Sequence, residues 1–160
     1  MARLRREKGL SHDALAERLD RARPNVIAWE KGRRVPTPHT LTAIAAALEV
    51  DPRELTTATM ETATLADLRA WAGLYQDELA SRCGLTRSTY ALIERGEVDL
   101  QPDVAKRLAK ALGREADEVR RAHGRRRPAE LQPVSRGGET KSSTTRAAPR
   151  AGRRRSKSAS

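Results

Sequence analysis

Residues 9–36 read GLSHDALAERLDRARPNVIAWEKGRRVP, and residues 73–102 read GLYQDELASRCGLTRSTYALIERGEVDLQP. These two stretches decide the fold, because one repeats the other. Gly9-Leu10 matches Gly73-Leu74, Asp13 matches Asp77, and Leu15-Ala16 matches Leu79-Ala80. Arg23 matches Arg87, and Glu30-Lys31-Gly32 matches Glu94-Arg95-Gly96, always 64 positions apart. Outward, the register holds at Leu4-Arg5 with Leu68-Arg69. It holds again at Pro38, Ala45, Ala47 and Leu48 with Pro102, Ala109, Ala111 and Leu112. Self-similarity at a fixed period marks a repeated structural unit. The units cover residues 1–58 and 65–120, joined by a Thr/Ala-rich stretch near 56–64.

Each unit reads as five short helices. In the first, a helix from the chain start stops at Gly9, a C′-type glycine. A second helix runs from Ser11, its N-cap, to Leu19, with Ala14, Leu15 and Leu19 at helical spacing. After a turn at 20–22, a third runs from Arg23 to Lys31 and ends at Gly32. Thr37-Pro38 caps and opens a helix to Leu48, and Asp51-Pro52-x-Glu54 opens a last short one. In the second unit Thr64 and Asp67 give the first cap. Gly84 sits at the interhelix turn, where a left-handed backbone is commonly needed. Asp20 holds that place in the first unit and tolerates the conformation better than most residues. No strand pattern appears in 1–123, so the expected class is all-α.

Composition fits small helical units. Hydrophobic residues are 38% and aromatics 2%, with no Phe, which is thin for one large core. The single Cys excludes a disulfide framework and a Cys-rich zinc site. MARLRREKGL lacks the apolar stretch of a signal peptide, and no apolar run approaches a membrane span. The expected location is cytoplasmic and nucleoid-associated, with no membrane partner. The net charge of +11 is uneven: residues 1–58 carry +3, 59–123 carry −1 and 124–160 carry +9. The segment 124–160 has Leu131 and Val134 as its only larger aliphatics, and reads as a disordered basic tail. Its runs Arg125-Arg126-Arg127 and Arg153-Arg154-Arg155-Ser156-Lys157 suit a sequence-independent nucleic-acid tether; a merely solubilising extension is the other reading.

The two quoted stretches resemble the Xre/Cro type of helix-turn-helix, the phage-repressor fold. The shared features are G-L-x-x-x-x-L-A, the turn, an Arg-initiated third helix, and Glu-[Lys/Arg]-Gly. The motifs fall at about 11–31 and 75–95. The resemblance implies two tandem five-helix DNA-binding domains whose third helices lie in the major groove of double-stranded DNA. It implies a groove-facing set of Arg23, Pro24, Asn25 and Ala28 in the first unit, and of Arg87, Ser88, Thr89 and Leu92 in the second. It implies phosphate contacts from His12 and Gln76 at the starts of the second helices, and from Arg33 and Arg34 in the loop. It also implies buried pairs Arg5–Glu30 and Arg69–Glu94 that orient the third helix.

Side-chain chemistry agrees. Arg presents a bidentate fork to guanine acceptors, and Asn can pair with adenine. Pro24 and Ala28 cannot hydrogen-bond a base, although Ala28 can touch a thymine methyl. In the second unit Leu92 stands where the resemblance implies a polar residue, and Glu97 and Asp99 stand where Arg33 and Val35 stand. The first unit is therefore expected to bind DNA more strongly. Two readings stay open for the second: it binds a further half-site, or it dimerises with another copy or holds a partner protein. A connector over 56–64 would reach at most about 30 Å if extended, against a half-site separation of about 34 Å. Domain width adds to that reach, so one chain could cover two adjacent half-sites.

Val26, Trp29, Tyr90 and Ile93 read as core, and so does Cys83. His12, His39 and His123 have no ligand spacing, and no metal or cofactor is expected. No nucleophile–base pair, phosphate loop or paired-carboxylate pattern stands out, so no catalytic residue is assigned and no enzyme is expected. The expectation is a bacterial-type, repressor-like transcriptional regulator. The alternative is an interaction module whose second unit binds a protein while the tail binds nucleic acid non-specifically.

Overall fold

A computed structural model describes residues 1–125; of the expected tail 124–160, Gly124 and Arg125 close α9 and are placed, and residues 126–160 lie outside the described residues. The first unit comprises α1 (Ala2–Glu7), α2 (His12–Arg18), α3 (Arg23–Glu30), α4 (Pro38–Leu48) and a 3-10 helix (Pro52–Leu55). The second comprises α5 (Leu65–Trp71), α6 (Gln76–Arg82), α7 (Arg87–Glu94), α8 (Pro102–Leu112) and α9 (Ala116–His123). No strand occurs among the described residues, and the chain is all-α with two tandem helix-turn-helix units.

Local chemistry sets the ends. The Ser11 and Thr37 side chains accept from the amides of Ala14 and Thr40. Thr64 and Asp67 form a reciprocal capping box on α5, as Asp51 and Glu54 do on the 3-10 helix. The turn between α2 and α3 needs a left-handed residue, and Asp20 supplies it at φ 49°; Gly84 does so between α6 and α7 at φ 63°. The expected last helix of the first unit is a single 3-10 turn, whereas its counterpart α9 has eight residues. Leu55 is followed by Thr56-Thr57, poor helix formers. Glu115 instead leads into Ala116-Asp117-Glu118, with Val119 and Ala122 one turn apart and buried.

Each unit has its own core. Leu4, Leu15, Ala16, Val26, Ile44 and Leu48 form the first, with Leu10, Leu19 and Trp29 half-buried around it. Leu68, Leu79, Ala80, Tyr90, Ile93, Leu108, Leu112 and Val119 are central to the second, and Cys83 is buried there as expected. The third helices exchange bulk between adjacent turns. Val26 and Trp29 in α3 correspond to Tyr90 and Ile93 in α7, so the aromatic moves three positions and the summed volume changes little. Volume-conserving swaps of this kind are tolerated in packed cores. The Tyr90 hydroxyl is buried in this core against Glu94 and Arg69, its polar neighbours.

The units are docked rather than strung. Leu41 of α4 is 7% exposed and belongs to the second core, and Leu55 packs on both cores. Trp71 Nε1 donates to Thr56 Oγ1 at 3.1 Å. Arg125 Nη1 donates to the carbonyls of Met60 and Ala63 at 3.3 and 3.1 Å. The segment 56–64 is thus a packed connector and not an extended tether: Ala63 and Thr64 are buried, and Ala58 and Met60 lie on the second core.

Candidate nucleic-acid interface

Orientation of the third helices begins with a buried ion pair. Arg5 Nε donates to Glu30 Oε1 at 2.7 Å and Arg5 Nη2 to Oε2 at 3.1 Å, and both side chains are 7% exposed. Arg5 Nη1 donates to the Leu10 carbonyl at 2.7 Å, tying down the α1–α2 loop as well. The second unit repeats this with Arg69 Nε on Glu94 Oε2 at 2.7 Å and Arg69 Nη1 on the Leu74 carbonyl at 2.9 Å. Burial pushes the Glu30 carboxyl up, but hydrogen bonds from Arg5 and His12 outweigh it and hold the group below its ordinary value. Glu94 is likewise raised by burial and lowered further by Arg69. The C-terminal ends of α3 and α7 are so pinned to α1 and α5, leaving their N-terminal halves outward.

The outward face of α3 gathers most of the residues singled out from sequence. Arg23 and Pro24 are exposed, Asn25 and Ala28 half-exposed, and Arg33 and Arg34 fully on the surface. The loop folds back on the helix, because the amides of Arg33 and Arg34 both donate to the Ala28 carbonyl at 2.9 and 3.3 Å. Arg34 Nη1 then reaches Asn25 Oδ1 at 3.2 Å. Arg23 Nε lies 3.5 Å from Asp13 Oδ1, and both side chains are well exposed. Such a pair is worth little in water and yields readily to a better anion.

His12 is held differently. Its Nε2 sits 2.8 Å from Glu30 Oε2 and 3.0 Å from Arg5 Nη2. The ring is a member of the buried network, so a phosphate would have to meet its other edge. Gln76 is tied in the same way, Nε2 to Glu94 Oε1 at 3.0 Å.

In the second unit the outward face is a shallow groove of ≈ 370 Å³ lined by Gln76, Arg87, Ser88, Ala91, Leu92 and Arg95. Thr89 stands at its edge as part of the α7 cap: its amide donates to Thr86 Oγ1 at 3.1 Å, and the two hydroxyls are 2.8 Å apart. Arg95 pairs with Glu97, which offsets its charge. Arg95 alone of the groove-lining residues was not singled out from the sequence; its signal was its register with Lys31 in Glu-[Lys/Arg]-Gly. Among the described residues, no cluster of His, Cys, Asp or Glu could hold a metal ion, and no helix is long and apolar enough to cross a membrane.

Two helix-turn-helix units, each with its middle helix pinned by a buried Arg–Glu pair and its outer face studded with Arg, define a tandem helix-turn-helix protein. The Helix-turn-helix family profile matches residues 1–55 and 65–119, and the chain belongs to that family. It is 49% identical over 43 residues to a protein of Methanothermobacter thermautotrophicus called an uncharacterized HTH-type transcriptional regulator, covering 27% of this chain and 62% of that one. It is 46% identical over 61 residues to another so described from Sinorhizobium fredii, covering 38% of this chain and 79% of the relative. No solved structure matches the chain.

Proposed function

We propose that the chain is a sequence-specific DNA-binding transcriptional regulator of repressor-like type, acting in the cytoplasm at the nucleoid. The observation that carries this is the bond between Arg34 and Asn25, which sets a loop cation beside a base-reading amide on the exposed face of α3. Arg23 and Asn25 read base edges, and Ala28 meets a thymine methyl. Arg33 and Arg34 hold the adjacent phosphates, with Arg87, Ser88, Thr89 and Gln76 engaging DNA from the second unit. A well-formed bidentate contact discriminates by about 1–3 kcal/mol. The phosphate contacts add affinity that falls with salt.

Site selection from random duplexes at about 150 mM salt, a physiological ionic strength, tests this. The chain should enrich one motif, and Arg23→Ala with Asn25→Ala should abolish it. Equal enrichment by the double variant would remove α3 from the reading role.

The apolar strip Ala91–Leu92 in the second groove, with Arg95 already paired, favours a second reading in which α7 holds a partner protein. Leu92→Glu would then abolish partner capture and leave the α3 motif untouched.

A further inference from the structure

The seam between the units is one-sided at α4, while the last helices of the two units also approach, with Asp51 near Arg114 and Arg53 near Glu118. α4 of the first unit packs on α5 of the second, and its first turn reaches α6. His39 Nε2 lies 3.0 Å from Glu78 Oε2, and the His39 and Tyr75 rings are 4.6 Å apart. Thr42 stands so close to Gly73 that a Cβ added there would meet Thr42 Cγ2 and Oγ1 at 3.0 Å. A two-fold seam repeats every contact with the roles exchanged. In the 64-residue register, Thr42 on Gly73 would demand Lys106 on Gly9, and His39 on Glu78 would demand Asp103 on Ala14. Neither is present. A Cβ added at Gly9 meets nothing within 4 Å. Asp103 is 73% exposed and bonds Arg107 of its own helix. The tail of one unit thus seats on the head of the next.

Both sides of this seam border the DNA-facing surfaces. His39 follows Thr37, the cap that closes the Arg33–Arg34 loop. Tyr75 and Glu78 flank Gln76, which lines the groove of Arg87, Ser88 and Leu92. Leu41, buried in the second core, holds the two surfaces at one separation and one relative orientation.

We propose that the two units form one composite reading surface in head-to-tail order, and that its ligand is duplex DNA carrying two half-sites in the same orientation at one fixed spacing. The proposal rests on the DNA-binding reading above. Operator symmetry mirrors protein symmetry, and a head-to-tail pair has no two-fold axis to match a palindrome. Docking also replaces the wide search of a loose tether by a single geometry, which concentrates the second unit at one spacing.

The half-sites differ because α3 and α7 differ, so the direct test makes them equal. Ser88→Pro, Thr89→Asn and Leu92→Ala in the full chain give α7 the groove-facing residues of α3, Arg87 already matching Arg23. Random-duplex selection with this variant is expected to return two copies of one motif, in the same orientation, at a single spacing. An inverted pair or a lone motif would overturn the proposal while leaving DNA binding standing. No enriched motif with either this variant or the unaltered chain would overturn the DNA-binding reading itself. Hydroxyl-radical footprinting of the unaltered chain on its own selected site gives a second reading that needs no variant. Protection without dyad symmetry between the strands is expected, and a dyad-symmetric footprint would overturn the head-to-tail order.

Discussion

Replacing Glu30 by Gln removes one charge from a network that water barely reaches. Arg5 would keep its bond to the Leu10 carbonyl at 2.7 Å and its contact with His12, but would lose the anion that offsets its burial. Both partners are 7% exposed and the pair is bidentate, so the discount applied to surface pairs does not apply. Breaking a buried pair from one side costs about 3–5 kcal/mol. The bonds Arg5 retains put the expected loss near the lower figure, about 3 kcal/mol, a large share of the roughly 5–15 kcal/mol of a whole domain. Removing both charges with Arg5→Met and Glu30→Leu leaves no stranded ion and should lie within about 2 kcal/mol of the unaltered chain. Urea unfolding followed by circular dichroism at neutral pH measures all three. A loss below about 1 kcal/mol for Glu30→Gln, the range of exposed pairs, would show that the pair is screened like a surface one. A double variant as unstable as Glu30→Gln would show that the loss does not come from the stranded Arg5 charge.

Three further expectations follow from particular residues. Tyr90→Phe deletes a buried hydroxyl that lies against Glu94 and Arg69 without a bond of good geometry, so stability should change by no more than about 1 kcal/mol; a larger loss in urea unfolding would show that the hydroxyl is fully bonded. Asp20→Gly relieves a left-handed backbone at φ 49° and should raise Tm by a few degrees, corresponding to about 0.5–1 kcal/mol after the added unfolded-state entropy; a lowered Tm by calorimetry would count against it. Glu30 and Glu94 are held below their ordinary values, and Arg53 holds Asp51 at about 2. Stability from these groups is complete above their unfolded values, near pH ~4, and drains as pH falls through the folded ones; an unfolding free energy that rises between about pH 5 and 3 would contradict this sign.

Most of the architecture was legible because it is written twice. The register that aligned Gly9 with Gly73 and Glu30 with Glu94 located the helices, and caps such as Ser11, Thr37 and Thr64 are local chemistry that a sequence displays directly. The outward cluster on α3 was legible for the same reason, since Val26 inside places Arg23, Asn25 and Ala28 outside. The docking of the units was not. Leu41 reads as one more apolar residue in line with Ile44 and Leu48, and nothing local says that it enters the other unit's core. The surroundings of His12 were not legible for a related cause. Its position at a helix start is visible, but the neighbouring Arg5 and Glu30 arrive from two other helices. Nor could composition show that the last helix of the first unit shrinks to one 3-10 turn, which depends on Thr56-Thr57 leading into the packed connector.

Base reading by α3 is measured most directly by the ratio of affinities for the selected duplex and a scrambled one, over a salt series. The unaltered chain should prefer the selected duplex by about 10³-fold or more. Arg23→Ala should cut that preference by about 5- to 150-fold, the equivalent of 1–3 kcal/mol, with little change in scrambled-duplex affinity. Arg33→Ala should weaken both duplexes alike and flatten the salt slope by about 1. An unchanged preference in Arg23→Ala, at unchanged salt slope, would contradict the claim that α3 carries the sequence readout.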